Sequence, residues 1–247
     1  MDQQTAIVYG PVVSRRFGRT LGVNLAPAGR KACNFACAYC RYARSEPPAR
    51  SDWPEPAAIV GALERALETC GEIDAITVAG TGEPTLHPAF VPIAEGIFHA
   101  RQRLAPAARL GLLSNGSTLN RPEVVNALRR FDVRSMKLDA GDATTFRLMN
   151  SAPISLGRLI GDLRRTGRVT LQSMFVRDAA GIVDNTTPDA VHAWLEAVQR
   201  IRPAGVDICT VDPSVTGGSP LQRASTAVLE QIAARVRALA VPVRVFA

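Results

Sequence analysis

Lysine and aromatic residues are scarce in this 247-residue chain. Only Lys31 and Lys137 are lysines, so arginine carries nearly all of the positive charge behind the net charge of +7, and aromatic residues make up 5%. The arginines are spread along the chain, and few rings are available for base stacking. A basic chain attracts phosphate groups. A solvated basic surface is therefore the favoured interpretation, an anionic substrate is the alternative, and nucleic acid is a less favoured partner.

Long apolar runs are absent as well. No segment is apolar enough over a sufficient length to span a bilayer, and the N-terminus shows no basic stretch followed by an apolar one. We therefore expect no membrane association. The five cysteines are an odd number, and three of them are too crowded for a disulfide framework. These features predict a reduced, cytoplasmic protein.

The pattern along the chain alternates between strand and helix, which is typical of a parallel α/β sheet. The predicted strands are 20–25, 73–79, 109–113, 133–138, 169–176 and 205–211, with a terminal strand at 241–246. The predicted helices are 57–70, 89–104, 122–130, 142–149, 155–165, 188–201 and 221–239. In parallel barrels the chemistry lies at the carboxyl ends of the strands, and the polar and glycine-rich motifs follow such ends.

Three cysteines within eight residues are the most informative feature. Cys33, Cys37 and Cys40 have the spacing CxxxCxxC, with an aromatic residue just before the last, while Cys70 and Cys209 stand far downstream. Clustered thiolates select soft metals or iron–sulfur clusters, and closed sites have four protein ligands. Three ligands on a four-iron cubane leave one iron open for another molecule. A zinc site with a remote fourth ligand and a redox-sensing thiol cluster remain alternatives.

The segment 33–40 resembles the cluster loop of the radical S-adenosylmethionine (SAM) superfamily, CxxxCxΦC with Φ aromatic. Residues 9–24, YGPVVSRRFGRTLGVN, resemble the opening of a branch related to the wyosine-forming tRNA enzymes, although the extra cysteines of their second cluster are missing. The resemblance covers about residues 9–215. It implies a partial (β/α)6 TIM-type barrel in a single domain, 1–247, made of an N-terminal segment 1–19, a barrel 20–215, and a C-terminal helix and terminal strand 216–247.

The same resemblance implies the chemistry. The three cysteines would hold a [4Fe–4S] cluster, and SAM would chelate the open iron. Reductive cleavage of SAM would give a 5′-deoxyadenosyl radical that abstracts hydrogen from an unidentified small-molecule, nucleotide or peptide substrate. An electron donor such as flavodoxin or ferredoxin would be the redox partner. The alternatives are a glycyl-radical activating enzyme acting on a partner protein, a tRNA-base-modifying enzyme, and a non-enzymatic metal-binding protein.

A glycine-rich segment after the second predicted strand resembles the superfamily's SAM motif. It consists of Gly80, Thr81, Gly82 and Glu83. Glycines let the backbone approach a ligand closely, and the freed carbonyls could accept from the SAM ammonium; an ordinary turn is the alternative. By the same resemblance Tyr39 lies beside the adenine.

Ser114 and Asn115 close the third predicted strand, where hydroxyl and amide groups suit a ribose or carboxylate contact. The alternative is a turn, since Asn115 precedes a glycine. His87, one of three histidines, is expected to cap a loop rather than act as an acid.

Lys137 and Asp139 end the fourth predicted strand, and alternation along a strand places them on one face. Buried charges need partners. The SAM carboxylate for Lys137 and a ribose hydroxyl for Asp139 would supply them, and a mutual ion pair is the alternative.

The remaining candidates lie on the fifth and sixth strands and near the N-terminus. Gln172 and Met174 share one face of a strand, and Gln172 is a candidate contact of the adenine or methionine part of SAM, or of the substrate. Cys70 and Cys209 are interpreted as small apolar core residues. The candidate substrate contacts are Arg15, Arg16, Met174 and Asp212.

Overall fold

The computed structural model describes residues 6–42, 52–211 and 221–247. Within these residues the chain forms two compact units. The first lies within Met1–Asn34, Arg44–Ser114 and Thr118–Arg134, and the second within Phe35–Ala43, Asn115–Ser117 and Ser135–Ala247. Among the described helices, none has the combination of length and apolar character that a membrane crossing requires.

The first unit contains four strands in sequence order across its sheet. They are β1 (Val8–Ser14), β2 (Gly18–Val23), β3 (Ala75–Val78) and β4 (Arg109–Ser114). β2, β3 and β4 are parallel, as predicted, whereas β1 pairs antiparallel with β2. The sequence analysis missed β1 because Pro11 interrupts its pattern. Proline is tolerated on an edge strand or at a bulge, and the register of β1 shifts between Tyr9 and Val12.

The helices of the first unit follow the predicted segments closely. They are α1 (Pro56–Thr69), α2 (Phe90–Leu104) and α3 (Pro122–Ala127), with 3-10 turns at Pro84–Leu86 and Leu128–Arg130. Ile59 and Leu63 of α1 and Ile93 and Ile97 of α2 are completely buried. Their spacing of three or four residues gives each helix one apolar face, which explains why the helix predictions were correct.

The second unit also contains parallel strands. β5 (Val133–Lys137) begins in the first unit and is followed by β6 (Thr170–Met174), β7 (Val176–Asp178), β8 (Gly205–Cys209), β9 (Leu221–Arg223) and β10 (Val243–Phe246). The eight-stranded sheet has the order β1-β2-β3-β4-β5-β6-β8-β10, while β7 and β9 form a separate antiparallel ribbon. The predicted terminal strand is confirmed as β10, which runs parallel to β8.

The β7–β9 ribbon corrects two predicted boundaries. The fifth predicted strand extended to Val176, but Val176 starts β7 and pairs with Arg223 of β9. The last predicted helix started at Leu221, which instead opens β9. The helix begins only after Ser225, whose hydroxyl accepts a hydrogen bond from the Val228 amide and so satisfies a free donor of the first turn.

Four helices complete the second unit. They are α4 (Ala143–Asn150), α5 (Leu156–Thr166), α6 (Pro188–Ile201) and α7 (Thr226–Arg237). Asp142, Ser155 and Thr187 cap α4, α5 and α6 with side-chain oxygens. The predicted starts at 142, 155 and 188 are therefore confirmed to within one residue, because capping residues are read directly from sequence.

Candidate functional site

The three motif cysteines form no disulfide, and each is partly buried. Cys33 belongs to the first unit, and Cys37 and Cys40 belong to the second. A turn links the latter two, since the Cys40 amide donates to the Cys37 carbonyl at 2.9 Å. Within the described residues, no three His, Cys, Asp or Glu side chains converge closely enough for a single metal ion. The ligands of a cubane bind separate irons and need not converge on one point.

In the first unit, the chain just before Cys33 is clasped by the glycine-rich segment. The Ala32 amide donates to the Thr81 carbonyl at 3.2 Å, and the Glu83 amide donates to the Ala32 carbonyl at 2.8 Å. A Cβ at Gly82 would lie 2.2 Å from the Ala32 oxygen. Gly82 is therefore required for this backbone approach, and the Thr81 carbonyl, one of those predicted to meet SAM, already has a protein partner.

Asn24 completes this clasp from the end of β2. Its Oδ1 accepts from the amides of Ala26 at 3.1 Å and Thr81 at 3.2 Å. A Cβ at Gly80 would lie 2.2 Å from the same oxygen. The Thr81 hydroxyl in turn donates to the Arg30 carbonyl at 3.2 Å. Asn24 was not predicted as a site residue, because its partner Thr81 is 57 residues away along the chain.

Glu83 and Ser114, both predicted to bind cofactor, are brought together in the first unit. Glu83 is 3% exposed, and its Oε1 accepts from the Ser114 hydroxyl at 2.7 Å and from the amide and hydroxyl of Thr85 at 3.1 and 2.6 Å. The hydroxyl of Thr118 donates to that of Thr85 at 2.5 Å. This buried carboxylate therefore joins the ends of β3 and β4, and its role towards a cofactor remains a prediction.

Two other predictions concern loop residues. Asn115 is buried, and its Oδ1 accepts from the Ser117 amide at 2.9 Å around Gly116, which has φ of 75°. This is the turn that the sequence analysis gave as the alternative to a ligand contact. His87 is confirmed as a loop cap, since its Nδ1 accepts from the Ala89 amide at 3.0 Å.

In the second unit, Tyr39, Lys137 and Asp139 form one hydrogen-bonded group. The Tyr39 hydroxyl donates to Asp139 Oδ2 at 2.5 Å and accepts from Lys137 Nζ. Lys137 Nζ also lies 3.6 Å from Asp139 Oδ2 and 4.8 Å from the centre of the Tyr39 ring. Burial and the adjacent carboxylate raise the pKa of Tyr39 well above its ordinary value.

The charges of Lys137, which ends β5, and of Asp139, two residues later, compensate each other within this group. Both side chains do lie on one side, as alternation predicted, and they are paired with each other. The mutual ion pair was the alternative interpretation; the contacts with the SAM carboxylate and ribose remain predictions. Asp139 is 1% exposed. Burying its charge is costly, and the hydrogen bonds and ion pair with these partners offset that cost.

Asn150, the last residue of α4, connects this group to a motif cysteine. Its Nδ2 donates to Asp139 Oδ2 at 2.7 Å and to Cys37 Sγ at 3.4 Å. Burial raises the pKa of the Cys37 thiol. The sequence analysis missed Asn150. The available signal was a polar residue on the buried face of an amphipathic helix, beside Phe146 and Met149.

The two faces of the fifth predicted strand differ in burial. Gln172 and Met174 are half-buried, whereas Ser173 and Phe175 on the other face are fully buried. The Met174 amide donates to Asp139 Oδ1 at 2.9 Å, which places this residue beside the charged group. Phe35 is also buried and packs edge-on against Phe146 at 6.0 Å.

Arg15 and Arg16, two of the predicted substrate contacts, lie just upstream of the first predicted strand. They lie in the turn between β1 and β2, at the amino end of β2. The loop with Cys33 follows the other end of this six-residue strand, roughly 20 Å away. A cavity of about 1000 Å³, lined by Phe17, Arg19 and Arg109 among others, lies at the amino ends of β2 and β4. The contact of Arg15 and Arg16 with a substrate remains a prediction.

Three further residues complete the comparison with the predictions. Asp212 lies outside the described residues. Cys209 is 8% exposed and belongs to the core, as predicted. Cys70 is a correction, because it is only half-buried at the C-terminal cap of α1, where its thiol lies 3.2 Å from the Gly71 carbonyl.

Comparison with known proteins defines the class of this chain. The family model described as "Radical SAM superfamily" matches residues 31–223. A crystal structure of a radical SAM methyltransferase from Sphaerobacter thermophilus has a TM-score of 0.67 at 18% identity, over 97% of this chain and 68% of that chain. The fold is therefore the α/β, mostly parallel, partial TIM-type barrel that the sequence predicted.

Curated relatives give a second, closer grouping. A UPF0026 protein from Helicobacter pylori is 31% identical over 212 residues, which are 83% of this chain and 66% of that protein. The UPF0026 protein slr1464 of Synechocystis is 31% identical over 233 residues, 90% of this chain and 80% of that protein. The chain belongs to the radical SAM superfamily and to the UPF0026 proteins. The chain spans just under two thirds of the Helicobacter relative.

Proposed function

We propose that Cys33, Cys37 and Cys40 bind a [4Fe–4S] cluster and that the chain uses this cluster to cleave SAM reductively. The observation that carries the proposal is the environment of Cys37: its sulfur accepts a hydrogen bond from Asn150, which also donates to Asp139 of the charge pair with Lys137. Soft thiolates with hydrogen-bond donors directed at sulfur fit an iron–sulfur cluster.

When bound, the reduced cluster would supply one electron to the sulfonium of SAM, whose C–S bond would break to give methionine and a 5′-deoxyadenosyl radical able to abstract hydrogen from the substrate. The protein's part is to bind, to orient and to exclude side reactions. Lys137 would attract the SAM carboxylate, Asp139 would accept from a ribose hydroxyl, and Tyr39 would lie beside the adenine. Gln172 would contact the adenine or the methionine part.

In the first unit, the candidate SAM contacts are the residues of the clasp and the strand ends, namely Gly80, Thr81, Gly82, Glu83 and Ser114, with Asn115 following in the second unit. The clasp itself would keep Cys33 in a fixed position, because Ala32 is bonded on both its amide and its carbonyl. Rigid positioning of ligands is what a metal centre requires of its surroundings.

Radical SAM enzymes need a reductant, and we propose a low-potential donor such as flavodoxin or ferredoxin. The substrate is an unidentified small molecule, nucleotide or peptide. A cytoplasmic location suits the reduced thiols that cluster assembly requires.

The test is anaerobic. The protein is reconstituted with iron and sulfide, reduced and given SAM, and 5′-deoxyadenosine is measured by mass spectrometry. We expect its formation in the original chain and a loss to background in Cys33→Ala, Cys37→Ala and Cys40→Ala. The matched control is Cys70→Ala, since Cys70 is half-buried like the motif cysteines but lies outside the motif. Cluster assembly and SAM cleavage that survive in a motif variant would contradict the ligand assignment.

A further inference from the structure

Asn150 is buried in an unusual way. It is 0% exposed, and its two amide hydrogens are divided between Asp139 Oδ2 at 2.7 Å and Cys37 Sγ at 3.4 Å. An asparagine amide has two hydrogens, so both bonds can be made at once. The orientation of the amide is also determined, because rotating it by 180° would point Oδ1 at a carboxylate and a sulfur, neither of which is a good donor.

The backbone fixes the distance between Asn150 and the cysteine. The Ala36 amide donates to the Asn150 carbonyl at 3.0 Å, and the Ala38 amide donates to the Met149 carbonyl at 2.9 Å. These two donors flank Cys37 on either side. These two backbone hydrogen bonds therefore hold the loop against the end of α4, which keeps Cys37 Sγ close to the Asn150 side chain.

An asparagine at this position is costly for stability. Its Oδ1 is buried and has no hydrogen-bond partner within the described part of the chain, and an unsatisfied buried acceptor costs on the order of 1–3 kcal/mol. An apolar side chain would avoid that cost. Compared with an apolar side chain, asparagine adds the two hydrogen bonds of Nδ2, one to Asp139 and one to the motif cysteine Cys37.

We propose that Asn150 tunes the cluster through Cys37. A hydrogen bond to a ligating sulfur withdraws electron density and stabilises the more negative, reduced cluster, so the reduction potential rises. One electron enters the cluster from a low-potential donor, and Asn150 makes and breaks no covalent bond. Asn150 is thus a positioning and tuning residue. The inference rests on the proposed function, because it requires Cys37 to be a ligand.

The test is a redox titration of the reconstituted enzyme, followed by electron paramagnetic resonance of the reduced cluster. Asn150→Leu removes the amide, and we expect it to disfavour reduction about tenfold, a shift of about 59 mV to more negative potential for a one-electron couple. Asn150→Ala, which leaves the backbone acceptors in place, should shift the potential in the same direction and serves if the leucine variant does not fold.

Asn185→Leu is the matched control. Asn185 is another buried amide of the second unit, 2% exposed, and its Nδ2 donates to the carbonyls of Asp139 and Met174 at 2.9 and 2.7 Å. No sulfur is among these partners. Its loss should lower stability but leave the potential near that of the original chain, which separates tuning from a general structural effect.

A second measurement uses the unmodified chain. With ¹⁵N placed in asparagine side-chain amides, the reduced cluster should show a nitrogen hyperfine coupling. Absence of that coupling, or unchanged potentials in Asn150 variants that carry an intact cluster, would overturn the inference. If the original chain assembles no cluster, or if Cys37→Ala assembles one of normal iron content, the proposed function fails instead.

Discussion

The chain around Cys33 and the chain around Cys37 are held by different interactions. In the first unit, backbone groups of Ala32, Thr81 and Glu83 bond to one another, and the neutral side chain of Asn24 completes the clasp. In the second unit, the loop rests against a buried charged group that includes Lys137 and Asp139. The arrangement in the first unit depends on the close approach of backbone atoms, and the arrangement in the second unit depends on the pairing of opposite charges.

This contrast indicates which changes each region tolerates. The backbone clasp brings atoms so close that a single added carbon collides with the chain. The charged group has room for side chains of the same shape, but its members compensate one another and cannot be removed singly without leaving a charge unpaired. Substitutions that alter only size or only charge should therefore affect the two regions unequally.

The largest effect is expected from Asp139→Asn, which keeps the shape but removes the charge that pairs with Lys137. Breaking a buried pair leaves the remaining charge uncompensated, and we expect a loss of about 3 kcal/mol. The midpoint of urea denaturation of the metal-free, reduced protein measures it. In the control Asp207→Asn the partner, Arg244, has a side chain that is 50% exposed. Water can solvate that guanidinium, so an equal loss in both variants would contradict the role assigned to burial.

A smaller loss is expected from Gly82→Ala, which changes size alone. The new Cβ would lie 2.2 Å from the Ala32 oxygen and 2.7 Å from its carbonyl carbon, and backbone cannot move aside as a side-chain tip can. Overpacking of this kind costs about 2 kcal/mol.

The control for Gly82→Ala is Gly61→Ala in α1, where the added carbon meets only the flexible end of Arg65 at 3.3 Å. Alanine in place of a helical glycine should raise stability by up to about 1 kcal/mol. Denaturation midpoints that fall equally for both variants would contradict the inference that the clasp has no room for a Cβ at position 82.

The smallest effect concerns the pH dependence of stability in the first unit. Burial lowers the pKa of His87 from its ordinary value of 6.5. Nδ1 accepts from the Ala89 amide and Nε2 contacts the Pro54 carbonyl, which fixes a neutral ring. The unfolded chain then takes up a proton at a higher pH than the folded one. The stabilising contribution is complete above the unfolded pKa and is lost as pH falls through the lowered folded pKa.

Urea midpoints from about pH 7.5 to about pH 5 test this. The original chain should lose at most about 1.4 kcal/mol per pH unit through this residue, and His87→Gln should lose less over the same range. His192→Gln alters an exposed histidine and should follow the original chain. A His87→Gln variant with an unchanged acid slope would remove His87 as the cause.

Much of the fold could be predicted because local patterns carry it. Helix caps such as Thr187 and apolar spacings within α1 and α2 are properties of neighbouring residues, and those boundaries were correct. β1 was missed because Pro11 interrupts its pattern, and the β7–β9 ribbon was missed because antiparallel pairing depends on a partner strand. Nothing local distinguishes Leu221 at the start of a strand from Leu221 at the start of a helix.

The sequence by itself determined the class of chemistry, because the spacing of Cys33, Cys37 and Cys40 and the order of the glycine-rich and charged motifs are linear properties of the chain. Only the tertiary structure decided what surrounds those thiols. Asn150 lies 113 residues from Cys37 along the chain, and Tyr39 lies 100 residues from Asp139. Hydrogen bonds act over about 3 Å. Such partners therefore meet only when the packing of α4 and β5 brings these distant parts of the chain together.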